Sequence, residues 1–129
     1  ERAEEYALEI AQSMGASVKV VHVIEEIDLE NDQEVERFYA ALQEQAGKRL
    51  AKILTRFRNA GVECDGQIDI GRRWRGVLDA AKADASDLVV VGARRWDDEG
   101  RAYLGTTSQR VFLSSPIPVM VIPTVHAAD

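Results

Sequence analysis

The segment Leu88-Val89-Val90-Val91-Gly92-Ala93-Arg94-Arg95 decides the fold, because an apolar, β-branched run ends on a glycine and then becomes basic. Such a run predicts a strand buried on both faces, as in a parallel sheet. The segment Leu104-Gly105-Thr106-Thr107-Ser108 follows and predicts a helix start. Glycine lets a ligand approach the backbone, and a helix N-terminus attracts anions. The two segments therefore predict a phosphate-binding loop; the alternative is that Gly92 only ends a strand and Gly105 only caps a helix.

Helices and strands alternate along the rest of the chain. Apolar spacing predicts helices over 1–14, 32–60, 74–81 and 105–115, and strands over 17–24, 62–70, 88–91 and 117–122. We expect Gly15 and Gly61 to stop the first two helices, residues 95–103 to form a charged loop, and Val111 and Phe112 to face inward. This order predicts a single α/β domain over residues 1–129, with a parallel sheet and helical crossovers.

Composition narrows the classes of function. The net charge of −6 argues against a nonspecific nucleic-acid surface, and no apolar run is long enough to cross a membrane. One cysteine, Cys64, suits a reducing cytosol and predicts a cytoplasmic protein. Arginines nevertheless gather in two loops that follow strands: Arg72, Arg73, Arg75, Arg94, Arg95 and Arg101. They favour an anionic small ligand, the alternative being a solvated surface with ion pairs.

No catalytic set emerges from the sequence. The two histidines lie far apart, and no cluster has zinc spacing. Asp97, Asp98 and Glu99 either help a Mg²⁺ ion to accompany phosphates or are solvated loop acids. We therefore predict no catalytic residues and no metal ligands.

Gly92 and Gly105-Thr106 have the spacing of a nucleotide motif: glycine, two residues, glycine, nine residues, then glycine with serine or threonine. Arg95 replaces the middle glycine. Further matches are His22-Val23-Ile24, Val89-Val90-Val91 and the segment 118–123. On these residues the chain resembles the universal stress protein family along nearly its whole length.

The resemblance implies a doubly wound, Rossmann-like open parallel sheet with the strand order 3-2-1-4-5. The family's first strand would precede the helix at 1–14, and that strand is missing from the printed sequence. The simplest account is a sequence that begins after this strand. The alternative is a strand donated by a partner chain.

The resemblance also implies a site for an adenine nucleotide. Val23 would line the adenine pocket through its backbone, and Val91 and Gly92 would flank the ribose. The phosphates would be held by Gly105, Thr106, Thr107 and Ser108. Arg95, beside Arg94 in the same loop, would either block the phosphates or pair with one.

The implied function is that of a cytoplasmic stress-response protein that binds ATP, with or without Mg²⁺, and hydrolyses it slowly at most. One alternative is a dimeric interaction module without nucleotide. Another is an adenine-nucleotide-dependent transferase, which would need a base or nucleophile that we do not find. Family members of this type commonly dimerise through the last strand, here Val119, Met120, Val121 and Ile122.

Overall fold

The computed structural model describes residues 2–26, 32–93, 95–96, 102–103 and 105–123. The helices are α1 (Arg2–Met14), α2 (Asp32–Asn59), α3 (Arg73–Ala83) and α4 (Thr106–Ser114). The strands are β1 (Val18–Glu25), β2 (Cys64–Gly71), β3 (Val89–Ala93), β4 (Arg95–Trp96), β5 (Ala102–Tyr103) and β6 (Val119–Pro123). Among these residues, no helix has both the length and the apolarity needed to cross a membrane.

The main sheet has two parallel halves. β1 pairs with β2 from Val18↔Cys64 to Glu25↔Gly71. β3 pairs with β6 over its whole length. The halves face each other across a cavity of about 160 Å³, lined by residues of β1, β3 and α3. Within the described part of the chain no hydrogen-bonded ladder joins β1 to β3.

Helices cover both faces of the sheet. One core cluster joins α3, β3 and α4 through Leu78, Val89 and the fully buried Val111. A second cluster joins α1 to α2 through Ala11 and Phe57. Because different pairs of helices form the two clusters, the predicted doubly wound α/β fold is confirmed.

The predicted helix ends are confirmed at two glycines. Gly15 and Gly61 follow α1 and α2 with φ values of 62° and 82°, a conformation that side chains disfavour. Ala85 also has a positive φ, 51°, just after α3, which the sequence did not predict.

Two predictions were wrong. The segment predicted as a charged loop contains an antiparallel pairing, Arg95↔Tyr103 and Trp96↔Ala102. Phe112, predicted to face inward, is 54% exposed. Ser108 and Val111, three residues apart, define the inward side of α4, and Phe112 lies about 100° further round the helix.

Candidate functional site

The candidate site lies at the carboxyl ends of β1 and β3. Parallel α/β sheets bind ligands beyond these ends because the loops and helix N-termini that follow the strands gather there. β3 reaches its end at Gly92 and Ala93, and β1 at Val23 to Glu25. The predicted site residues are therefore distributed between the two halves of the sheet.

A buried hydrogen bond connects two of the predicted site residues. The hydroxyl of Ser108 donates to the carbonyl oxygen of Gly92 at 2.9 Å, and Ser108 is only 7% exposed. The bond ties the first turn of α4 to the end of β3. While it is made, the hydroxyl proton of Ser108 is not available to a phosphate. The structure thus gives Ser108 a role in positioning α4 against β3.

The N-terminus of α4 offers hydrogen-bond donors. Gly105 occupies the N-cap position in an extended conformation and, being a glycine, has no side chain that could cap the helix. The N–H groups of the first turn have no partner within a helix, and the helix dipole makes this end electropositive. Thr106 is exposed and Thr107 is half-buried. Backbone amides and two hydroxyls can therefore meet an anion at this point.

The side chain of Val23 is buried and packs against α3. The residue is 5% exposed, and a Cβ placed on Gly76 would lie 2.7 Å from Val23 Cγ2. In the ladder Val23 pairs with Asp69 of β2. The backbone of Val23, near the carboxyl end of β1, is therefore the part of this residue that could contact a ligand. This geometry suits the backbone role that the resemblance implies.

Val91 and Gly92 lie on β3, opposite Val121 and Ile122 of β6. Val91 also lines the cavity between β1 and β3. A Cβ on Gly92 would lie 3.7 Å from Ala3 Cβ, an ordinary van der Waals contact. The protein's own packing therefore leaves room for a methyl group at position 92.

Other predicted site residues are outside the described part of the chain. Arg94 is one of them, and for Arg95 only the backbone, at the start of β4, is described. The acidic residues 97–99, candidates for holding Mg²⁺, also lie outside it. Among the described residues, no group of three or more His, Cys, Asp or Glu side chains could hold a metal ion.

Sequence reasoning missed Glu25. Its Oε2 accepts the backbone N–H of Arg73 at 3.2 Å and lies 3.7 Å from Arg73 Nε. Glu25 thus caps α3 with a carboxylate, although the N-cap residue itself, Arg72, makes no side-chain cap hydrogen bond. No local pattern could have revealed the cap, because 48 residues separate Glu25 from Arg73.

Comparison with protein families and curated sequences gives consistent results. The model of the universal stress protein family matches residues 1–123. A universal stress protein of Thermus aquaticus is 30% identical over 123 residues, covering 94% of this chain and 88% of that protein. One of Mycobacterium tuberculosis is 29% identical over 87 residues, covering 65% of this chain but only 30% of that protein.

Solved structures show the same fold. A universal stress protein from Archaeoglobus fulgidus in complex with dAMP has a TM-score of 0.68 at 21% identity, covering 94% of this chain and 85% of its own. A universal stress protein in complex with cAMP has a TM-score of 0.70 at 21% identity, covering 95% and 86%. At such identities the likeness establishes the fold.

Proposed function

The chain belongs to the universal stress protein family, and from this premise we propose that it binds an adenine nucleotide, ATP in particular. In this proposal the bound nucleotide sets the state in which the protein interacts with partners during a stress response. The protein acts in the cytoplasm, where its lone Cys64 stays reduced. In this proposal the protein binds ATP and hydrolyses it slowly at most.

The observation that carries the proposal is the tie between α4 and β3. The Ser108–Gly92 hydrogen bond holds the N-terminus of α4, where a glycine is the N-cap residue, beside the end of a parallel strand. A helix N-terminus in this position binds phosphate through backbone amides and the helix dipole. Thr106 and Thr107 add hydroxyl donors.

The choice of adenine rests on two lines of support. Universal stress proteins of the same fold have been solved with dAMP and with cAMP. In this chain, Val23 keeps its side chain in the core and its backbone near the carboxyl end of β1. We propose that this end of the strand recognises the base, that Val91 and Gly92 flank the ribose, and that Mg²⁺ accompanies the phosphates.

Gly92→Ala provides a sharp test of this function. The packing leaves room for the methyl group on the protein side, so the melting temperature should change little. A bound nucleotide that approaches the backbone at Gly92 would meet the new Cβ. In calorimetric titrations we expect the wild-type protein to prefer Mg-ATP to Mg-GTP, and Gly92→Ala to bind ATP at least about tenfold more weakly.

Gly47→Ala is the matched control. Gly47 lies in α2, and a Cβ there meets nothing within 4 Å. Its affinity for ATP should equal that of the wild type. No heat with Mg-ATP, together with no nucleotide released on denaturation, would contradict the proposal.

A second candidate function is a dimeric interaction module without nucleotide. Arg95, at the position of the middle glycine of the motif, favours this alternative because a side chain there can block the phosphates. A wild-type protein that is dimeric and binds no adenine nucleotide would support it.

A further inference from the structure

Trp74 and Arg110 form a contact between the two helices that start near the proposed site. The guanidinium carbon of Arg110 lies 5.4 Å from the centroid of the Trp74 ring. Trp74 is in the first turn of α3, and Arg110 is in the middle of α4. At this distance the cation is attracted by the face of the indole.

The placement of α4 depends on its contacts, because a helix of nine residues is marginal by itself. Val111 anchors the helix in the core, and Ser108 ties it to Gly92. Arg110 provides a further connection, to α3. Arg110 therefore adds a second link between α4 and α3, beside the core contacts of Val111 with Leu78 and Ala81.

The first turn of α3, which contains Trp74, packs against the end of β1, the part of the proposed site that would recognise the base. Gly76, two residues after Trp74, packs directly over Val23 of β1. Glu25, at the end of the same strand, holds the backbone of Arg73 at the start of α3. The first turn of α3 is therefore fixed against the end of β1.

We propose that Arg110 is a positioning residue, which acts through Trp74 to hold the N-terminus of α4 in register with the end of β1. This inference rests on the proposed function and deepens it. The nucleoside contacts the strand ends, whereas the phosphates contact α4. The Trp74–Arg110 contact therefore sets the preference for ATP over adenosine, although neither side chain is assigned a ligand contact.

The experiment measures the affinities of ATP and adenosine by calorimetry for the wild type, Trp74→Leu, Arg110→Met and the double variant. Trp74→Leu leaves the charge unchanged. Lys82→Met, at an exposed lysine in the last turn of α3, removes one positive charge elsewhere on the same helix as Trp74. Trp74→Leu and Arg110→Met should each lower the affinity for ATP roughly two- to fivefold more than the affinity for adenosine. The double variant should lose no more selectivity than the larger single loss.

Lys82→Met should change the ratio of the two affinities less than Arg110→Met does. Arg110→Lys keeps the positive charge but lacks the planar guanidinium, so it should lose part of the preference for ATP over adenosine. If Trp74→Leu does not fold, this variant takes its place in the test. Equal losses for ATP and adenosine, or independent losses in the double variant, overturn this inference alone. A folded wild-type protein that binds no ATP overturns the proposed function and this inference with it.

Discussion

Gly76 of α3 lies so close to Val23 of β1 that a Cβ at Gly76 would be 2.7 Å from Val23 Cγ2 and 3.1 Å from Val23 Cγ1. The two residues set the distance between α3 and the sheet. Glycine lowers the stability of a helix interior by about 0.5–1 kcal/mol relative to alanine. The close contact explains why glycine nevertheless occupies this position.

Gly76→Ala should therefore lower the free energy of unfolding by about 1–3 kcal/mol, since overpacking outweighs the gain in helix propensity. Urea denaturation measures the change. Combining it with Val23→Ala removes the clashing methyl groups, so the double variant should be more stable than the sum of the single effects predicts.

Gly47→Ala is the control for this prediction. It lies in a helix, but its Cβ would have open space. It should raise the stability by about 0.5–1 kcal/mol. A Gly76→Ala protein that is stabilised like Gly47→Ala would contradict the proposed clash with Val23.

Ser108 and Thr106 lie in the same turn of α4, but substitution by alanine should affect different properties. At Ser108 it should lower stability, whereas at Thr106 it should weaken ATP binding. Ser108→Ala leaves the carbonyl of Gly92 without its partner and should lower stability by about 1–3 kcal/mol. Thr106→Ala, at an exposed position, should change stability by less than about 0.5 kcal/mol while weakening ATP. Thermal denaturation and calorimetry separate the two effects. A stable Ser108→Ala protein would show that the hydrogen bond contributes little.

Ala85→Gly should stabilise the protein. Ala85 has φ 51° at the end of α3, where Ser86 N–H bonds to Ala81 O at 2.9 Å and Ala85 N–H to Lys82 O at 3.1 Å. This arrangement favours glycine, and the left-handed conformation destabilises alanine by about 1–2 kcal/mol. We expect a gain of about 1 kcal/mol in chemical denaturation, reduced by the greater chain entropy of glycine. Ala83→Gly, at the last residue of α3, should be destabilising, and gains from both variants would contradict this explanation.

Much of the fold could be predicted because its signals are local. The apolar run before Gly92 indicates a buried strand, and the alternation of elements indicates the parallel sheet. The inward face of α4 could not be predicted, because Val111 and Phe112 are adjacent apolar residues on a short helix. Only tertiary packing determines which of the two faces the core. The left-handed Ala85 violates the usual choice of glycine, so no sequence rule identifies it.

The site could be predicted only in part, because some of its contacts join residues that are distant in the sequence. The sequence placed Gly92 and Ser108 in one site, and the structure joins them directly. It could not show that the hydroxyl of Ser108 bonds to the strand. Nor could it reveal Glu25 as the cap of α3, since the contact spans 48 residues. Contacts between distant segments depend on how the helices pack and leave no periodic pattern.

Variants of Arg95 distinguish two possible roles of its side chain: pairing with a phosphate, or blocking the phosphates. Where its side chain pairs with a phosphate, Arg95→Ala should weaken ATP more than adenosine, because adenosine has no phosphate to lose. Where the side chain blocks the site, Arg95→Gly should strengthen ATP. Calorimetric titration of both ligands measures the difference. Equal affinities in wild type, Arg95→Ala and Arg95→Gly would contradict both interpretations.

We predict that the protein forms a homodimer through β6. In the described part of the chain β6 pairs only with β3, which leaves its other edge without a strand. Val119, Met120 and Val121 are half-buried there, and an open apolar edge is a template for pairing with a second copy. Pro118 and Pro123 lack an N–H and limit the pairing to the residues between them. Val121→Lys should therefore give a monomer in light scattering.

Leu113→Lys is the matched control, because Leu113 is an apolar residue of α4 that is 70% exposed. It adds the same charge on a helix instead of on the strand proposed to pair, so the dimer should persist. Circular dichroism and the melting temperature show whether each variant is folded, and Val119→Lys provides a second substitution on β6. Since dimer formation depends on concentration, all proteins are compared at the same concentration. A monomeric wild type, or dissociation by Leu113→Lys and not by the β6 variants, would rule out pairing through this edge.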